Sequence, residues 1–451
     1  MIFALPIELL EEIAGYLKWK DLVRTEATSS LWRALMLQQW KRFQTVSTLQ
    51  FLPKKSLVKG RYFFYFQVLI EKIRRHVVAL ELGQSDIQRT LGFLYKVDLP
   101  KLKILKLKML PLSFVSLLAA FHDLEELECF CVGKNNETEI ADSFLSTILR
   151  SLPNLKKVNY SSNIKCNGTF IQFLPHSLEA LSLNVSVSID LTDNLDRSFP
   201  CLKNLRIKHR SSKQAPSFQS WFGKQKNTSL VTVRLKNYPS LQGLYLSDCC
   251  RIADLVPLKD LQTLCVSQSS ISGPKSISDL LFDENCCFSP NLQELELPWN
   301  WSVRLKSSMA EIFLMKIGFC RNLESLRLYY SSSITTEVIR AITSGCQRLI
   351  SLSLLACQMD GEKLNIIAMN CSNLQKLSLQ CCSGLTVENF IDFLHMFKSS
   401  SDSPVEIDIR ATGIWSYNLP NRETEFSNVK LIMDKNVWIA SDWMTPYLSL
   451  N

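Results

Sequence analysis

Glycine and proline are scarce in this chain, 14 and 16 among 451 residues, which excludes a collagen-like or loop-dominated polymer. Long apolar runs are missing as well. The most apolar patches, 62–70 and 114–121, are short, and Gln67 interrupts the first; a bilayer span needs about 18 such residues. No basic leader opens the chain, and Glu8, Glu11 and Glu12 stand where a signal peptide would carry its apolar core. The expectation is a soluble intracellular protein, cytoplasmic and/or nuclear, without membrane contact. Also absent are a Walker-type loop, a Gly-x-Gly-x-x-Gly turn, any Cys-x-x-Cys and any His-x-x-x-His. The five histidines (His76, His122, His176, His209, His395) are isolated. No zinc site, built-in RING-type ligase, metal, cofactor or catalytic centre is expected, so the chain reads as a non-enzyme.

What is present suits a folded protein: 46% apolar and 21% charged residues. The 15 cysteines are odd in number and include three adjacent pairs, Cys249-Cys250, Cys286-Cys287 and Cys381-Cys382. Reduced thiols serving as small buried apolar groups fit this better than a secreted disulfide framework. Sequons such as those at Asn136, Asn167 and Asn300 are expected by chance in a chain rich in Asn and Ser. The net charge of +9 suits an acidic or phosphorylated partner and does not distinguish it from nucleic acid.

An internal repeat organises most of the chain. A Leu-x-x-Leu-x-Leu pattern, with conservative replacements, begins at Val77, Leu102, Leu124, Leu155, Leu178, Leu202, Leu241, Leu261, Leu292, Leu323, Leu349 and Leu374, with weaker copies at Pro404 and Val429. The steps are mostly about 20–31 residues, the length of a leucine-rich repeat. The alternating half, as in Leu326-Arg327-Leu328, predicts a strand with one buried face. The stretch after the strand often has helical spacing, as in Val338, Ile339 and Ile342. Neither element buries its face alone, so stacked copies must share one core, strands on a concave side and helices on a convex side. Cysteine recurs at fixed offsets, in Leu349-x-x-Leu352-x-Leu354-x-x-Cys357 and in Cys320, Cys346 and Cys371 three residues before the next repeat. These repeats resemble the cysteine-containing subclass of leucine-rich repeats. Leu230-Val-Thr-Val233-Arg-Leu235 also matches but lies only 11 residues before Leu241; Leu241 is taken as the regular copy and 211–240 as an irregular insertion.

The first 40 residues obey other rules. Pro6 predicts a first helical turn, with Leu9, Leu10, Ile13, Tyr16 and Leu17 at helical spacing. Asp21 is a candidate cap for a second helix, and Thr28 or Ser29 for a third carrying Leu31, Trp32 and Leu35. Three short helices cannot bury all these groups, so part of the apolar face should meet a partner or the repeats. The pattern Leu5-Pro6-x-Glu8-Leu9-Leu10-x-x-Ile13-x-x-Tyr16-Leu17-x-x-x-Asp21-Leu22 … Trp32-Arg33-x-Leu35 resembles the F-box; the family's frequent Val and small residue before the Trp are replaced by Thr28-Ser29-Ser30-Leu31. The resemblance implies docking on the adaptor protein that links to a cullin scaffold. It assigns Leu5, Pro6, Leu9, Leu10, Ile13, Leu17, Leu22 and Trp32 as adaptor contacts or supports.

The organisation expected is an F-box-like helical module (1–40), a linker and N-terminal cap (41–76) and a leucine-rich-repeat solenoid (77–411). A last repeat and C-terminal cap with Trp415, Trp438 and Trp443 (412–451) complete it. In the linker, Tyr62 to Phe66 reads as the apolar plug of the first turn, with a nucleic-acid stacking platform as the other reading. The fold class is α/β. The resemblance implies the substrate-recognition subunit of an SCF-type cullin–RING ubiquitin ligase. The alternatives are a leucine-rich-repeat scaffold or inhibitor outside ubiquitination, and a basic RNA-associated repeat protein. On the concave strand face Lys106, Lys108, Lys157, Arg206 and Lys208 are the candidate contacts to an acidic or phosphorylated protein substrate.

Overall fold

The computed structural model describes residues 6–47, 59–83, 87–111, 117–132, 138–166, 168–187, 198–209, 231–234, 238–247, 250–253, 260–267, 291–297, 307–329, 334–397, 405–414 and 429–433. Leu5, the tryptophans of the C-terminal cap and most of the 211–240 insertion lie outside them. The chain forms two compact units, one running to Cys201 and one beginning at Leu202, so the expected 77–411 solenoid has strands in both.

The first unit opens with three helices, α1 (Ile7–Tyr16), α2 (Trp19–Glu26) and α3 (Ser30–Gln39). Ser29 caps α3, its hydroxyl accepting the Trp32 N–H at 3.2 Å. Two expectations need correction. Pro6 is the residue before α1, and its carbonyl accepts the Leu9 and Leu10 amides. Asp21 lies inside the first turn of α2 with Lys18 at the N-cap, because the helix already starts at Trp19. The three helices bury Leu10, Ala14, Leu22, Trp32, Leu35, Met36 and Trp40 among themselves and the next elements.

Six strands come next in order, β1 (Thr45–Ser47), β2 (Ala79–Leu82), β3 (Ile104–Pro111), β4 (Glu126–Val132), β5 (Lys157–Cys166) and β6 (Ala180–Val187). Each pairs in parallel with the next. In register, Val46, Leu80, Leu105, Leu127, Val158 and Leu181 form one buried row across the sheet. Burying each such side chain contributes about 1.5–3 kcal/mol. Strand β1 precedes the first recognised repeat. Between β1 and β2 lies α4 (Lys59–Ile73), which contains the aromatic run. A helix turns the run, so only part of it can face inward: Phe66 is buried with Leu69, Ile70 and Ile73, whereas Phe64 is 61% exposed. Helices α5 (Ile87–Leu94) and α6 (Thr138–Arg150) complete the unit.

The second unit continues the architecture with β7 (Asn204–His209), β9 (Gly243–Ser247), β11 (Thr263–Ser267), β12 (Glu294–Leu297), β13 (Ser325–Tyr329), β14 (Ser351–Leu355), β15 (Lys376–Ser378), β16 (Val405–Asp408) and β17 (Val429–Ile432). Again each is parallel to the next. The competing match near Leu230 resolves as a side sheet: among the described residues β8 (Val231–Arg234) pairs with β10 (Cys250–Ala253) alone, and β7 pairs with β9 directly. Both weak copies, at 404 and 429, form strands of the ladder.

Helices α7 (Ser307–Lys316), α8 (Thr336–Gly345), α9 (Gly361–Asn370) and α10 (Val387–Met396) stack side by side. Three are capped alike, Thr335 on Val338 N–H, Asp360 on Lys363 N–H and Thr386 on Asn389 N–H. A side chain on Gly345 would clash with the Gly318 carbonyl, so the missing Cβ lets α8 approach the end of the preceding repeat. The architecture is an α/β leucine-rich-repeat solenoid of parallel strands and outer helices, preceded by a small helical module.

Candidate functional site

Helix α1 carries two apolar stripes. Leu10 and Ala14 face inward and are only 3% and 0% exposed. Leu9, Ile13 and Tyr16, spaced i, i+4 and i+7, share another face and are 45%, 44% and 82% exposed. Pro6 is exposed at the head of this face, and Leu17 is half-buried at its foot. Of the residues assigned from the F-box resemblance, Pro6, Leu9 and Ile13 therefore lie on the open surface. Leu10, Leu22 and Trp32 are core and can only support it. Tyr16 was absent from that set, although its spacing from Leu9 marks the face.

The face is held by a residue outside the motif. The Arg42 guanidinium donates to the carbonyls of Ala14, Gly15 and Leu17, closing the C-terminal end of α1. It also donates to the Gln39 side chain and lies 4.9 Å over the Phe43 ring. The Gly15 and Leu17 carbonyls are among those a helix end leaves unpaired, and the Ala14 carbonyl also accepts the Leu17 amide at 3.2 Å. No local pattern could reveal this clamp, because the carbonyls that Arg42 reaches are 25–28 residues away. A second tie joins α2 to α4, the Lys72 ammonium meeting the buried Glu26 carboxylate at 2.7 Å.

The open strand face of the first unit is not a bare cationic surface. Lys106 lies 3.6 Å from both Glu126 and Glu128, Lys108 2.6 Å from Glu81, and Lys157 3.9 Å from Glu126. Just before these strands, Lys103 and Lys156 both reach Glu125, at 2.5 and 2.8 Å. Hydrogen bonds from Lys103 and then Lys156 hold the Glu125 carboxyl down to about 2. The Lys108 hydrogen bond, followed by that of Ser47, likewise lowers Glu81. Parallel register places opposite charges next to each other across strands, so the lysines are locally compensated.

On β7, Arg206 instead stacks on Tyr245 of β9, its guanidinium carbon 4.4 Å from the ring centre. Lys208 lies two residues further along β7 and is exposed. Further along, Glu296 accepts from Arg327 at 3.3 Å and from the Tyr329 hydroxyl at 3.1 Å. Cys265 lies beside this carboxylate, and burial, then Glu294 and Glu296, push its thiol up. Ten cysteines are unbridged thiols, and eight of these are buried. Burial raises Cys346 and Cys371 to about 12, so these thiols pack without reacting. Among the described residues no group of His, Cys, Asp or Glu could hold a metal ion, and no helix is long and apolar enough to cross a membrane.

No family model matches the chain. Solved structures with similar stretches include a Bacteroides fragilis protein, 14% identical, with TM-score 0.32, covering 65% of this chain and 76% of that one. CroV588, described as a novel circular LRR protein, is 12% identical with TM-score 0.34, covering 80% of this chain and 46% of that one. The TLR13–ssRNA13 complex is 17% identical with TM-score 0.33, covering 80% of this chain and 51% of that one. The chain thus spans about half the length of the last two. The fold assignment rests on the parallel ladder itself.

Proposed function

We propose that this protein is a non-catalytic recognition subunit of an SCF-type ubiquitin ligase. Its helical module docks to the adaptor, and through it to the cullin, while the repeats hold a target protein in the cytoplasm or nucleus. One observation carries the reading: α1 leaves Leu9, Ile13 and Tyr16 open in a helical row while its other face is fully packed. Such a row costs solubility unless a partner covers it, and it coincides with the F-box-like motif.

The target surface in this reading is the open strand face. Because Lys106, Lys108 and Lys157 are engaged by glutamates, Arg206, Lys208 and Tyr245 are the stronger candidates for target contact. Arg and Tyr are the residues most often dominant at protein interfaces.

Leu9→Glu with Ile13→Glu tests the docking. Both residues are exposed, so the circular dichroism should be unchanged and the unfolding free energy should shift by no more than about 0.5 kcal/mol per substitution. The adaptor and cullin should co-purify with wild type and be lost from the variant. Undiminished recovery with the folded variant sinks the ligase reading and leaves a repeat scaffold. Trp32 serves this test poorly, because it is 8% exposed and its replacement damages the core.

A further inference from the structure

A second surface lies on the loops that lead into the strands of the first unit. Arg74, Arg75 and His76 occupy the turn that ends α4, closed by the His76 amide on the Ile73 carbonyl at 2.7 Å. One repeat later, Pro100 and Lys101 are the central residues of the turn from Leu99 to Leu102, closed by the Leu102 amide on the Leu99 carbonyl at 3.1 Å. Proline at the first central position pre-sets such a turn. The two turns and Asp98 line one cleft of about 480 Å³. Buried Val77, Leu99 and Leu102 anchor both turns, so the cationic groups project from fixed backbone.

The charge in this cleft is only partly compensated. Arg74, Arg75 and Lys101 are exposed and face one carboxylate of the lining, Asp98, leaving two net positive charges among the lining side chains. Arg74 has only a loose exposed partner, Glu71 at 4.0 Å. Among the described residues no ion pair engages Arg75 or Lys101. Elsewhere along the same edge carboxylates are interleaved with the basic groups, Glu125 between Lys103 and Lys156 and Asp123 beside His122.

We propose that this cleft binds a phosphorylated segment of a partner protein. A phosphomonoester carries nearly two negative charges at neutral pH, matching the local excess, and guanidinium groups recognise its oxygens in pairs. A neighbouring cleft of about 320 Å³ shares Asp98 and Pro100 and runs past Tyr95, giving residues flanking the phosphate a path. That second cleft sets Lys96 against Asp98 and Asp123. A nucleic acid needs a continuous cationic track, and this edge is interrupted. The cleft shares no residue with the α1 face, so the inference stands apart from the ligase reading.

The test uses the full chain and a short labelled peptide with one phosphoserine among glycine and alanine. Its unphosphorylated twin, inorganic phosphate and a short oligo-uridine serve as competitors, and binding is read by fluorescence anisotropy. The phosphopeptide should bind at least about tenfold more tightly than its twin, the value of one lost charge-assisted contact. Arg75→Gln with Lys101→Gln should remove that preference while the melting curve is kept. Leu9→Glu with Ile13→Glu should leave it intact. Equal binding of the two peptides, or an unaltered preference in the Arg75/Lys101 variant, overturns the proposal. So does competition by inorganic phosphate at the concentration of the phosphopeptide, which makes the cleft a small-anion site. Tighter binding of oligo-uridine lost in the same variant replaces it with an RNA surface.

Discussion

Three residues at one recurring position, Ala356, Cys381 and Ala411, hold positive φ of 53°, 57° and 57°. Each is the second residue after a buried leucine or isoleucine in or just past its strand: Leu354-Leu355-Ala356, Leu379-Gln380-Cys381 and Ile409-Arg410-Ala411. The left-handed turn lets the Ala356 and Cys381 amides bond to the Gln380 and Arg410 carbonyls at 2.8 and 2.9 Å. A non-glycine residue there bears about 1–2 kcal/mol of strain. Branching at Cβ sharpens the clash. Ala356→Val should therefore lose about 1–2 kcal/mol in urea denaturation, whereas Ala356→Gly should hold or gain. An equal loss for both would show that the methyl group, not the backbone, matters. The sequence marks none of these positions, because alanine and cysteine give no turn signal. The buried cysteines, in contrast, were legible from their fixed offset to the leucines.

At the scale of elements, α1 was legible in type and in most of its outer face, since Leu9 and Ile13 lie at helical spacing inside the motif. What could not be read was its anchoring. Arg42 satisfies three carbonyls at the end of α1 from beyond α3. Arg42→Ala should cost about 1–2 kcal/mol, as expected for partly exposed charge-assisted bonds. It should also speed amide exchange in the last turn of α1, with α2 unchanged. Global loosening of all three helices at equal rates would contradict a local clamp. Strand β1 escaped detection for a different reason: Thr45-Val46-Ser47 is too short to show alternation, and only pairing with β2 makes it a strand. The aromatic run in α4 was legible as buried material but not as a helix, which leaves Phe64 outward and Phe66 inward.

Across the whole molecule, the repeat pattern foretold the ladder because every first-position leucine or valine from Val77 to Leu374 is at most 4% exposed. Charge was less readable. A strand shows its own lysines, while the glutamates that neutralise them sit one repeat away in sequence and adjacent in space. Glu125 tests this coupling. Its carboxyl falls to about 2 in the folded chain, from an ordinary value of 4.5, through Lys103 and then Lys156. A depressed carboxylate adds stability above its unfolded value and loses it as pH falls through the folded one. Glu125→Gln should therefore melt below wild type at pH 7, with the gap narrowing from pH 4.5 towards 2. A gap independent of pH would mean that packing, not charge, holds the contact.

One geometric rule repeats from strand to strand. The Val78 carbonyl receives both the Lys103 and Ile104 amides, Lys103 receives Glu125 and Glu126, and Glu125 receives Lys156 and Lys157. In the second unit Gln293 receives Glu324 and Ser325, Glu324 receives Ile350 and Ser351, and Ile350 receives Gln375 and Lys376. Each joint uses backbone alone and looks the same to its neighbour whatever side chains it carries. Excising residues 349–373 would bring Glu324 against Gln375 and Lys376 and rebuild the same joint. Whole repeats can thus be copied or deleted like beads on a string, and the chain's reach can change without any new seam being designed.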